Sequence, residues 1–243
     1  MLDRLKQHFR REAFLPSRLS VITHPLYIVR RGLYKTISSL APRIAGDVLD
    51  FGCGSKPYES LFTGAKSYVG VDIEVSGHSH KDSRVDVYYG GKTLPFPDSR
   101  FDAVVSFEVL EHVFNIDEVI AEVRRVLKPD GFLLVSVPFA WDEHEVPYDF
   151  ARYTSYGLRH IFEKNAFEIV ELKKTTTYVA AVGQMFISYL VQHVSPKTWL
   201  LRKMFQLLVI FPLTMLSLLL SAILPRRYEY FCNCVVLARK RAA

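Results

Sequence analysis

Residues 47–54 read DVLDFGCG, a short apolar run that ends in a turn with two glycines. An apolar run bounded by turn residues predicts a strand buried in a sheet. Glycines after such a strand allow backbone amides to approach a ligand closely. Pro57 follows the turn, and its fixed φ suits the first turn of a helix. The segment therefore predicts a strand, a ligand-binding turn and a helix in succession.

The rest of the chain repeats this alternation of short apolar runs with helical patterns. Residues 116–131 have apolar side chains at helical spacing and end in Pro-Asp-Gly, and a second helix is predicted over 154–167 with Thr154 as its N-cap. Such alternation predicts an α/β fold in which helices cover both faces of a parallel sheet. Further strands are predicted at 67–72, 101–107, 132–139, 168–174 and 231–240.

Two carboxylates mark the carboxyl ends of the first two predicted strands. Asp50 precedes the glycine turn and Asp72 ends the run SYVGVD. Ligands of open α/β sheets bind at this edge, and an acid in the position of Asp72 can accept hydrogen bonds from ribose hydroxyls. The pattern fits a dinucleotide site as well, although Lys56 and Pro57 stand where the third glycine of that fingerprint would fall.

The segment TLPFPDSRFDAVVSFEVLEHV (93–113), taken with VLDFGCG, resembles the class I S-adenosylmethionine-dependent methyltransferase superfamily. The resemblance covers residues 47–174. It implies a Rossmann-like three-layer sandwich with a mostly parallel seven-stranded sheet, and S-adenosyl-L-methionine as the cofactor. The residues that it places at the cofactor are Asp50, Gly52, Cys53 and Gly54 at the methionine end, Asp72 and Ile73 at the ribose, and Phe107 and Glu108 along the cleft. Glu111 and His112 lie just behind, and His112 is counted with the cofactor residues.

The sequence departs from the family pattern on the adenine side of the cofactor. Lys56 replaces a common small residue in the loop. The usual acid after the third strand has one candidate, Asp86, and Tyr88 or Tyr89 is an alternative that could stack on the base.

The acceptor side is predicted after the fifth strand. The segment 138–158 resembles a bacterial branch of the superfamily with the pattern His-Glu-x-Pro-x-Asp-Phe-x-Arg-Tyr-Thr. His144 could accept a proton from a hydroxyl or amine, since an imidazole titrates near neutral pH. Asp149, Arg152 and Tyr153 could orient the acceptor. Equally, Asp149 and Arg152 could pair to hold the loop, and Tyr153 could belong to the core.

Other chemistries find less support in the sequence. His78 and His80 lie in a polar loop without a matching cluster of ligands, so no metal site is predicted. The net charge of +6 favours binding to anionic surfaces. Enzymes that methylate the amines of nucleobases resemble one another in an Asn or Asp-Pro-Pro-aromatic turn after the fourth strand, whereas this chain has Ser-Phe-Glu-Val there. No nucleic-acid partner is therefore expected. Three cysteines and a charged N-terminus indicate a cytoplasmic protein.

Two uncharged stretches, 175–196 and 204–225, interrupt the methyltransferase pattern. The second is long enough to cross a bilayer, but the strand predicted afterwards must rejoin the sheet, which favours helices in the membrane interface over a span. Helices buried in an enlarged core explain the composition equally well. We expect a helical arm at 1–43 and a methyltransferase domain at 44–243 with an apolar helical insertion at 175–227.

The sequence therefore predicts a methyltransferase that acts on a small-molecule acceptor. Basic residues flank the apolar stretches, which suggests a lipid-linked or glycan acceptor at the inner face of a membrane, with peripheral contact through 175–225. The alternatives are an NAD(P)-dependent oxidoreductase and a non-catalytic membrane-associated cofactor-binding protein. The sequence leaves the acceptor atom and the oligomeric state open.

Overall fold

The computed structural model describes residues 14–74 and 83–241. Within these residues, seven strands form one sheet in the order β3-β2-β1-β4-β5-β7-β6. The strands are β1 (Ala45–Phe51), β2 (Gly64–Ile73), β3 (Val87–Tyr89), β4 (Phe101–Phe107), β5 (Leu127–Pro138), β6 (Phe167–Lys174) and β7 (Asn233–Lys240). β1 pairs in parallel with β2 and β4, and the pairs β2–β3 and β4–β5 are also parallel. The predicted α/β class is confirmed.

The helices flank and follow these strands. They are α1 (Ser20–Thr23), α2 (Tyr27–Leu40), α3 (Ile116–Val126), α4 (Ser155–Lys164), α5 (Tyr178–Tyr189), α6 (Trp199–Phe205) and α7 (Phe211–Ile223). π-Helical turns at Leu190–Val194 and Gln206–Ile210 extend α5 and join α6 to α7. The helix Trp199–Ile223 is therefore continuous over 25 residues, and the second π-helical turn lies directly before Pro212.

The apolar periods explain which faces are buried. In α3, Val119, Ile120, Val123 and Val126 are buried at the predicted spacing. The helix ends at Val126, and β5 begins at once, with a register irregularity against β4 that accommodates the Pro-Asp-Gly segment. Thr154 caps α4 as predicted, since its side chain accepts a hydrogen bond from the Gly157 amide.

The connection from β1 to β2 differs from the sequence prediction. Pro57 does not open an α-helix; a short 3-10 helix at Glu59–Leu61 is the regular structure between these strands. The glycine turn occupies the chain up to Pro57, and β2 begins at Gly64, so only about one helical turn remains in between. Tyr58 and Phe62 from this connection pack on Phe107 of β4 with ring centroids 5.0 and 6.1 Å apart.

The chain divides into two compact units. The first, here called the sheet unit, comprises residues 37–173 and 234–241. The second, the helical unit, comprises residues 14–36 and 174–233 among those described. The predicted arm at 1–43 and insertion at 175–227 thus contribute most of their described residues to the same unit, while residues 1–13 lie outside the described part.

The helical unit has a small core of its own. Ile28, Ala180, Ile187 and Ile210 are buried together. α5 and α7 approach closely at Gly183, where a Cβ atom would lie 2.2 Å from the Ser217 hydroxyl oxygen. Much of the remaining apolar surface of this unit is exposed, and the helix Trp199–Ile223 is long and apolar enough to cross a membrane by length and composition.

Candidate functional site

The turn after β1 forms one side of the candidate site. Gly52 and Gly54 have φ values of +70° and +46°, which favour glycine over other residues. A Cβ on Gly52 would lie 2.5 Å from a methyl of Val109, whereas a Cβ on Gly54 would meet no atom within 4 Å. The turn is therefore packed on one side at Gly52 and open at Gly54.

Asp72 holds this turn against the end of β2. Its Oδ2 accepts a hydrogen bond of 2.9 Å from the Gly54 amide, and its Oδ1 accepts one of 2.8 Å from the Ile73 amide. A carboxylate can accept about four hydrogen bonds, so these two bonds do not use its full capacity as an acceptor. The predicted residues Gly54, Asp72 and Ile73 thus form one hydrogen-bonded group.

Asp50 lies beneath the turn rather than on its surface. It is buried, and the Tyr68 hydroxyl donates a hydrogen bond of 2.8 Å to its Oδ2. Burial raises the pKa of Asp50 to about 7, although the hydrogen bond from Tyr68 opposes this shift. Cys53 is also buried, which raises the pKa of its thiol to about 12 and leaves it a poor nucleophile at neutral pH.

Lys56 and Asp86 form an ion pair that links the loop after β1 to the segment before β3. The Lys56 ammonium is buried and donates to Asp86 Oδ2, which also accepts a hydrogen bond of 2.7 Å from the Gly70 amide. These bonds lower the pKa of the Asp86 carboxyl despite its partial burial. Lys56, at which the sequence departs from the family pattern it resembles, therefore anchors the one predicted adenine-side acid.

The two tyrosines of β3 differ in their surroundings. Tyr89 packs near Phe51, with ring centroids 5.9 Å apart, and burial together with the Asp72 carboxylate raises the pKa of its hydroxyl to about 12. Tyr88 is exposed. Of the two, Tyr89 is electrostatically coupled to the predicted ribose-binding acid.

Glu108 follows β4 in a constrained backbone position. Its φ is +57°, its amide donates a 2.9 Å hydrogen bond to the Ser136 carbonyl, and the Ser136 hydroxyl donates one of 2.6 Å to Glu108 Oε1. A non-glycine residue with positive φ is uncommon and is held here by both contacts with β5. Phe107 lies directly before it under the Tyr58 and Phe62 rings.

The loop after β5 is organised by Asp149 and Arg152. The guanidinium donates to both carboxylate oxygens at 2.5 and 2.6 Å, and Asp149 is almost fully buried. This pairing lowers the pKa of Asp149 to about 2. Arg152 also donates a 2.9 Å hydrogen bond to the Asp142 carbonyl. The predicted pair thus fixes the path of the loop that carries His144.

His144 and His112 meet although they lie on separate segments of the chain. Their ring centroids are 4.8 Å apart in an edge-to-face arrangement. His112 Nδ1 lies 2.8 Å from the Tyr148 carbonyl, and His144 Nδ1 lies 3.2 Å from the Asp142 carbonyl and 3.3 Å from Asp149 Oδ2. Carbonyl oxygens only accept, so Nδ1 carries the proton in both neutral rings and Nε2 carries the lone pair.

Glu111 completes this cluster; the resemblance places it with His112 just behind the cofactor cleft, and no role of its own was predicted for it. Its side chain is fully buried, and neither carboxylate oxygen has a hydrogen-bond partner among the described residues. Burial and the neighbouring Glu108 carboxylate raise its pKa well above the usual range. The Glu111 carbonyl accepts hydrogen bonds from the amides of Phe150 and Ala151, which brings the His144 loop to it. The signal in the sequence was an acid set among apolar residues beside His112.

Tyr153 is the remaining predicted acceptor-side residue. It is half-buried, and burial together with the Glu111 charge raises the pKa of its hydroxyl. It therefore lies near Glu111, as His144 and His112 do. His78 and His80, for which no metal role was predicted, lie outside the described residues.

Comparison with known proteins agrees with the fold. A family described as a methyltransferase domain matches residues 27–176. A probable S-adenosylmethionine-dependent methyltransferase of Mycolicibacterium smegmatis is 35% identical over 145 residues, which cover 57% of this chain and 54% of the relative. A ubiquinone biosynthesis O-methyltransferase of Thiobacillus denitrificans is 28% identical over 123 residues, 46% of this chain and 53% of that protein. The chain spans about half the length of the curated relatives it matches.

Solved structures share the fold at low sequence identity. The [4+2]-cyclase SpnF has a TM-score of 0.55 at 19% identity, with 87% of this chain and 83% of that chain covered. A methyltransferase-like protein of Bacillus halodurans has a TM-score of 0.53 at 19% identity, with 86% and 100% covered. At this identity the likeness shows the fold alone, and the cyclase demonstrates that the fold does not fix the reaction.

Proposed function

Because this chain belongs to the methyltransferase-domain family, we propose that it transfers a methyl group from S-adenosyl-L-methionine to a small-molecule acceptor. The observation that carries the proposal is Asp72, which orders the Gly54 and Ile73 amides and keeps acceptor capacity for ribose hydroxyls. The sulfonium of the cofactor supplies the activated methyl group, so the protein has to bind, orient and exclude water more than it has to supply strong acids or bases.

The residues around the turn fit the cofactor in charge and shape. Gly54 has open space beside it where a ligand can approach the backbone, and Gly52 and Cys53 form the turn below. Asp50 supports the turn from beneath. Tyr89 and Glu108 stand at the neighbouring strand ends, and Asp86, held by Lys56, remains our proposed adenine-side residue. The proposed cofactor residues are thus Asp50, Gly52, Cys53, Gly54, Asp72, Ile73, Asp86, Phe107, Glu108 and His112.

The acceptor side is proposed at the loop after β5. The Asp149–Arg152 pair fixes the loop, and a His144 ring that donates through Nδ1 to the Asp142 carbonyl would have its Nε2 lone pair available to accept a proton from a hydroxyl or amine. Tyr153 would orient the acceptor from the Glu111 side. Transfer to a hydroxyl needs one proton transfer, from the acceptor to His144 Nε2. The C–O bond forms as the C–S bond breaks, and the sulfonium of the cofactor becomes a neutral thioether.

The helical unit supports a lipid-linked acceptor. The exposed apolar side chains of the helix Trp199–Ile223 are numerous, and the basic residues Lys197, Arg202, Lys203 and Arg226 near its ends are exposed. β6 and β7 are neighbours in the sheet, so the segment between them starts and ends at that sheet and would need two crossings of a bilayer. One long apolar helix that lies in the cytoplasmic interface of the membrane crosses nothing, so it is compatible with a segment that starts and ends at the sheet.

The cytoplasmic assignment agrees with the state of the cysteines. Cys53, Cys232 and Cys234 are all buried, and none of them is in a disulfide. Disulfides are far more common in proteins of oxidising compartments, so three cysteines without a disulfide support the proposal of a reducing compartment.

Calorimetric titration with S-adenosylhomocysteine tests the cofactor proposal. We expect micromolar binding by the wild type, and a loss of about tenfold or more in affinity for Asp72→Ala, because hydrogen bonds to a charged group contribute roughly 1.5–3 kcal/mol. Asp72→Asn keeps the shape and distinguishes lost charge from a disordered turn. Asp98→Ala removes an exposed carboxylate and serves as the matched control.

Well-folded wild type that does not bind S-adenosylhomocysteine would remove the proposal. The oxidoreductase alternative would then predict a rise in melting temperature with NAD(P) instead, since a ligand stabilises the folded state that binds it. The non-catalytic alternative is distinguished by activity instead, because a protein that only binds the cofactor transfers no methyl group.

A further inference from the structure

We propose that Glu111, His112 and His144 bind a divalent transition-metal ion at the edge of the acceptor side. One carboxylate oxygen of Glu111 and one ring nitrogen of each histidine lie within 4.8 Å of one another. The separations exceed those of a formed site, in which ligands about 2.0–2.2 Å from the ion lie closer together, so rotations of the side chains would complete it.

The Glu111 carboxylate supplies the independent reason for a cation. It is fully buried, and neither of its oxygens has a hydrogen-bond partner among the described residues. Without a cation, such a group avoids the cost of a buried charge by keeping its proton, which agrees with its raised pKa, whereas a bound cation would hold it in the charged form. His112 Nε2 lies 3.8 Å from Glu111 Oε1 and carries a lone pair when the ring is neutral. An ion between these atoms would satisfy both.

The hydrogen bonds at Nδ1 of both imidazoles leave Nε2 as the nitrogen that can bind a metal ion. His112 donates through Nδ1 to the Tyr148 carbonyl, and His144 donates through Nδ1 to the Asp142 carbonyl beside Asp149. Metal-binding histidines usually donate their second N–H to a carbonyl or carboxylate in this way, because that bond fixes the tautomer and orients the ring. Arg152 Nη2 lies 3.5 Å from His144 Nδ1 but already donates to Asp149 and to the Asp142 carbonyl.

The surrounding charge favours a cation. Glu108, Glu111, Glu145 and Asp149 contribute carboxylates, and Arg152 is the positive side chain that faces Glu111 and is neutralised by Asp149. Glu145 Oε2 lies 3.9 Å from His112 Nε2 and is placed to become a further ligand. Two imidazoles with one carboxylate suit Zn²⁺, Fe²⁺, Co²⁺ and Mn²⁺, whereas Mg²⁺ and Ca²⁺ prefer oxygen ligands alone.

The inference deepens the proposed function, on which its role in the reaction rests. A bound ion would occupy the His144 lone pair, so that His144 would be a ligand instead of the base. The ion would lower the pKa of an acceptor hydroxyl that coordinates it, and that hydroxyl would release its proton to solvent water. The residues named for the acceptor would then bind through the ion, while the turn at Gly54 and Asp72 would still hold the cofactor.

The test is titration of the chelator-treated full-length protein with ZnCl₂ alone, with stoichiometry measured by equilibrium dialysis. We expect one site per chain, and an affinity lower by at least about 100-fold in Glu111→Gln and in His112→Ala, because even loss of an outer hydrogen bond costs about 10–100-fold. His160→Ala removes an exposed histidine outside the cluster and should bind as the wild type does. Co²⁺ absorption that is present in the wild type and lost in Glu111→Gln would support the same assignment.

S-adenosylhomocysteine binding by Glu111→Gln separates this inference from the proposed function, because Glu111, unlike His112, is not among the proposed cofactor residues. A Glu111→Gln variant that binds S-adenosylhomocysteine but not zinc is folded and supports the site. Stoichiometric zinc binding by the wild type that survives in Glu111→Gln and in a His112→Ala/His144→Ala double variant would overturn the inference, as would a wild type that binds S-adenosylhomocysteine but not zinc. Zinc binding lost in the variants, with no S-adenosylhomocysteine binding by the wild type, would support the metal site and remove the cofactor proposal.

Discussion

Single residues determine how the turn after β1 meets a ligand. Gly52 and Gly54 share positive φ values, but only Gly52 has a neighbour where a Cβ would stand. An added methyl group should therefore affect mainly stability at Gly52 and mainly cofactor binding at Gly54.

Alanine at these two glycines should have different effects. Gly52→Ala should lower the free energy of unfolding by roughly 1–3 kcal/mol, because an unfavourable φ is combined with a clash against Val109. Gly54→Ala should cost about 1 kcal/mol of backbone strain and should weaken S-adenosylhomocysteine binding more than Gly52→Ala does. Urea unfolding and calorimetry of both variants measure these effects. Equal stabilities with unchanged binding by Gly54→Ala would contradict this account of the turn.

Asp50 should make stability depend on pH. Its pKa is about 7 in the folded protein and about 3.9 in an unfolded chain. The unfolded state therefore loses the proton first as the pH rises, so the stabilising contribution of protonated Asp50 is complete below about pH 4 and is lost between about 4 and 7. For one group the slope is at most about 1.4 kcal/mol per pH unit.

Asp50→Asn should remove this part of the slope. Urea unfolding across pH 4 to 8 in the variant and the wild type measures the difference, and other titrating groups such as Glu111 contribute to both. Parallel curves for the two proteins would show that Asp50 keeps its ordinary pKa in the folded state.

Individual elements follow from local sequence where one short pattern sets them. The apolar runs placed β1, β2 and β4, and the apolar spacing of α3 matches its buried face. The prediction for Pro57 was wrong because the length of chain available before β2, and the packing of Tyr58 on Phe107, determine that connection. A residue's preference for a helix start cannot create room for the helix.

The N-cap of α4 offers a test at the level of an element. Thr154→Ala should lower the free energy of unfolding by about 1 kcal/mol, because the Gly157 amide loses its acceptor at the helix start. Thr154→Ser keeps the hydroxyl and should stay within a few tenths of the wild type. Chemical denaturation compares the three proteins, and an alanine variant as stable as the serine variant would argue against the cap.

The whole molecule combines a sheet unit that carries the proposed cofactor site with a helical unit rich in exposed apolar side chains. A contiguous apolar surface on a folded protein marks an interaction site more often than it marks ordinary surface. In the helix Trp199–Ile223, Leu208 and Leu219 are both more than half exposed. Burial in an enlarged core was the alternative to membrane contact that the sequence left open. Among the described residues, no such core covers these two side chains of the helix.

Flotation with anionic liposomes tests the membrane proposal. The wild type should float, and a Leu208→Glu/Leu219→Glu variant should remain in the dense fraction, because buried apolar area and basic residues both drive binding to an anionic interface. Tyr156→Glu, on an exposed position of α4, is the matched control and should float. A wild type that binds S-adenosylhomocysteine and fails to float would remove the membrane proposal and leave the cofactor proposal standing.

The sequence by itself determined the strands, the glycine turn and Asp72 at the end of the second strand, because each depends on a pattern within a few residues. The tertiary structure alone brought Lys56 to Asp86, and Glu111 and His112 to His144. These contacts depend on the path of loops, which is set by bonds such as those from the Phe150 and Ala151 amides to the Glu111 carbonyl. Hydrophobic periodicity carries no information about such bonds, because they join residues far apart in the chain through backbone atoms common to all residue types.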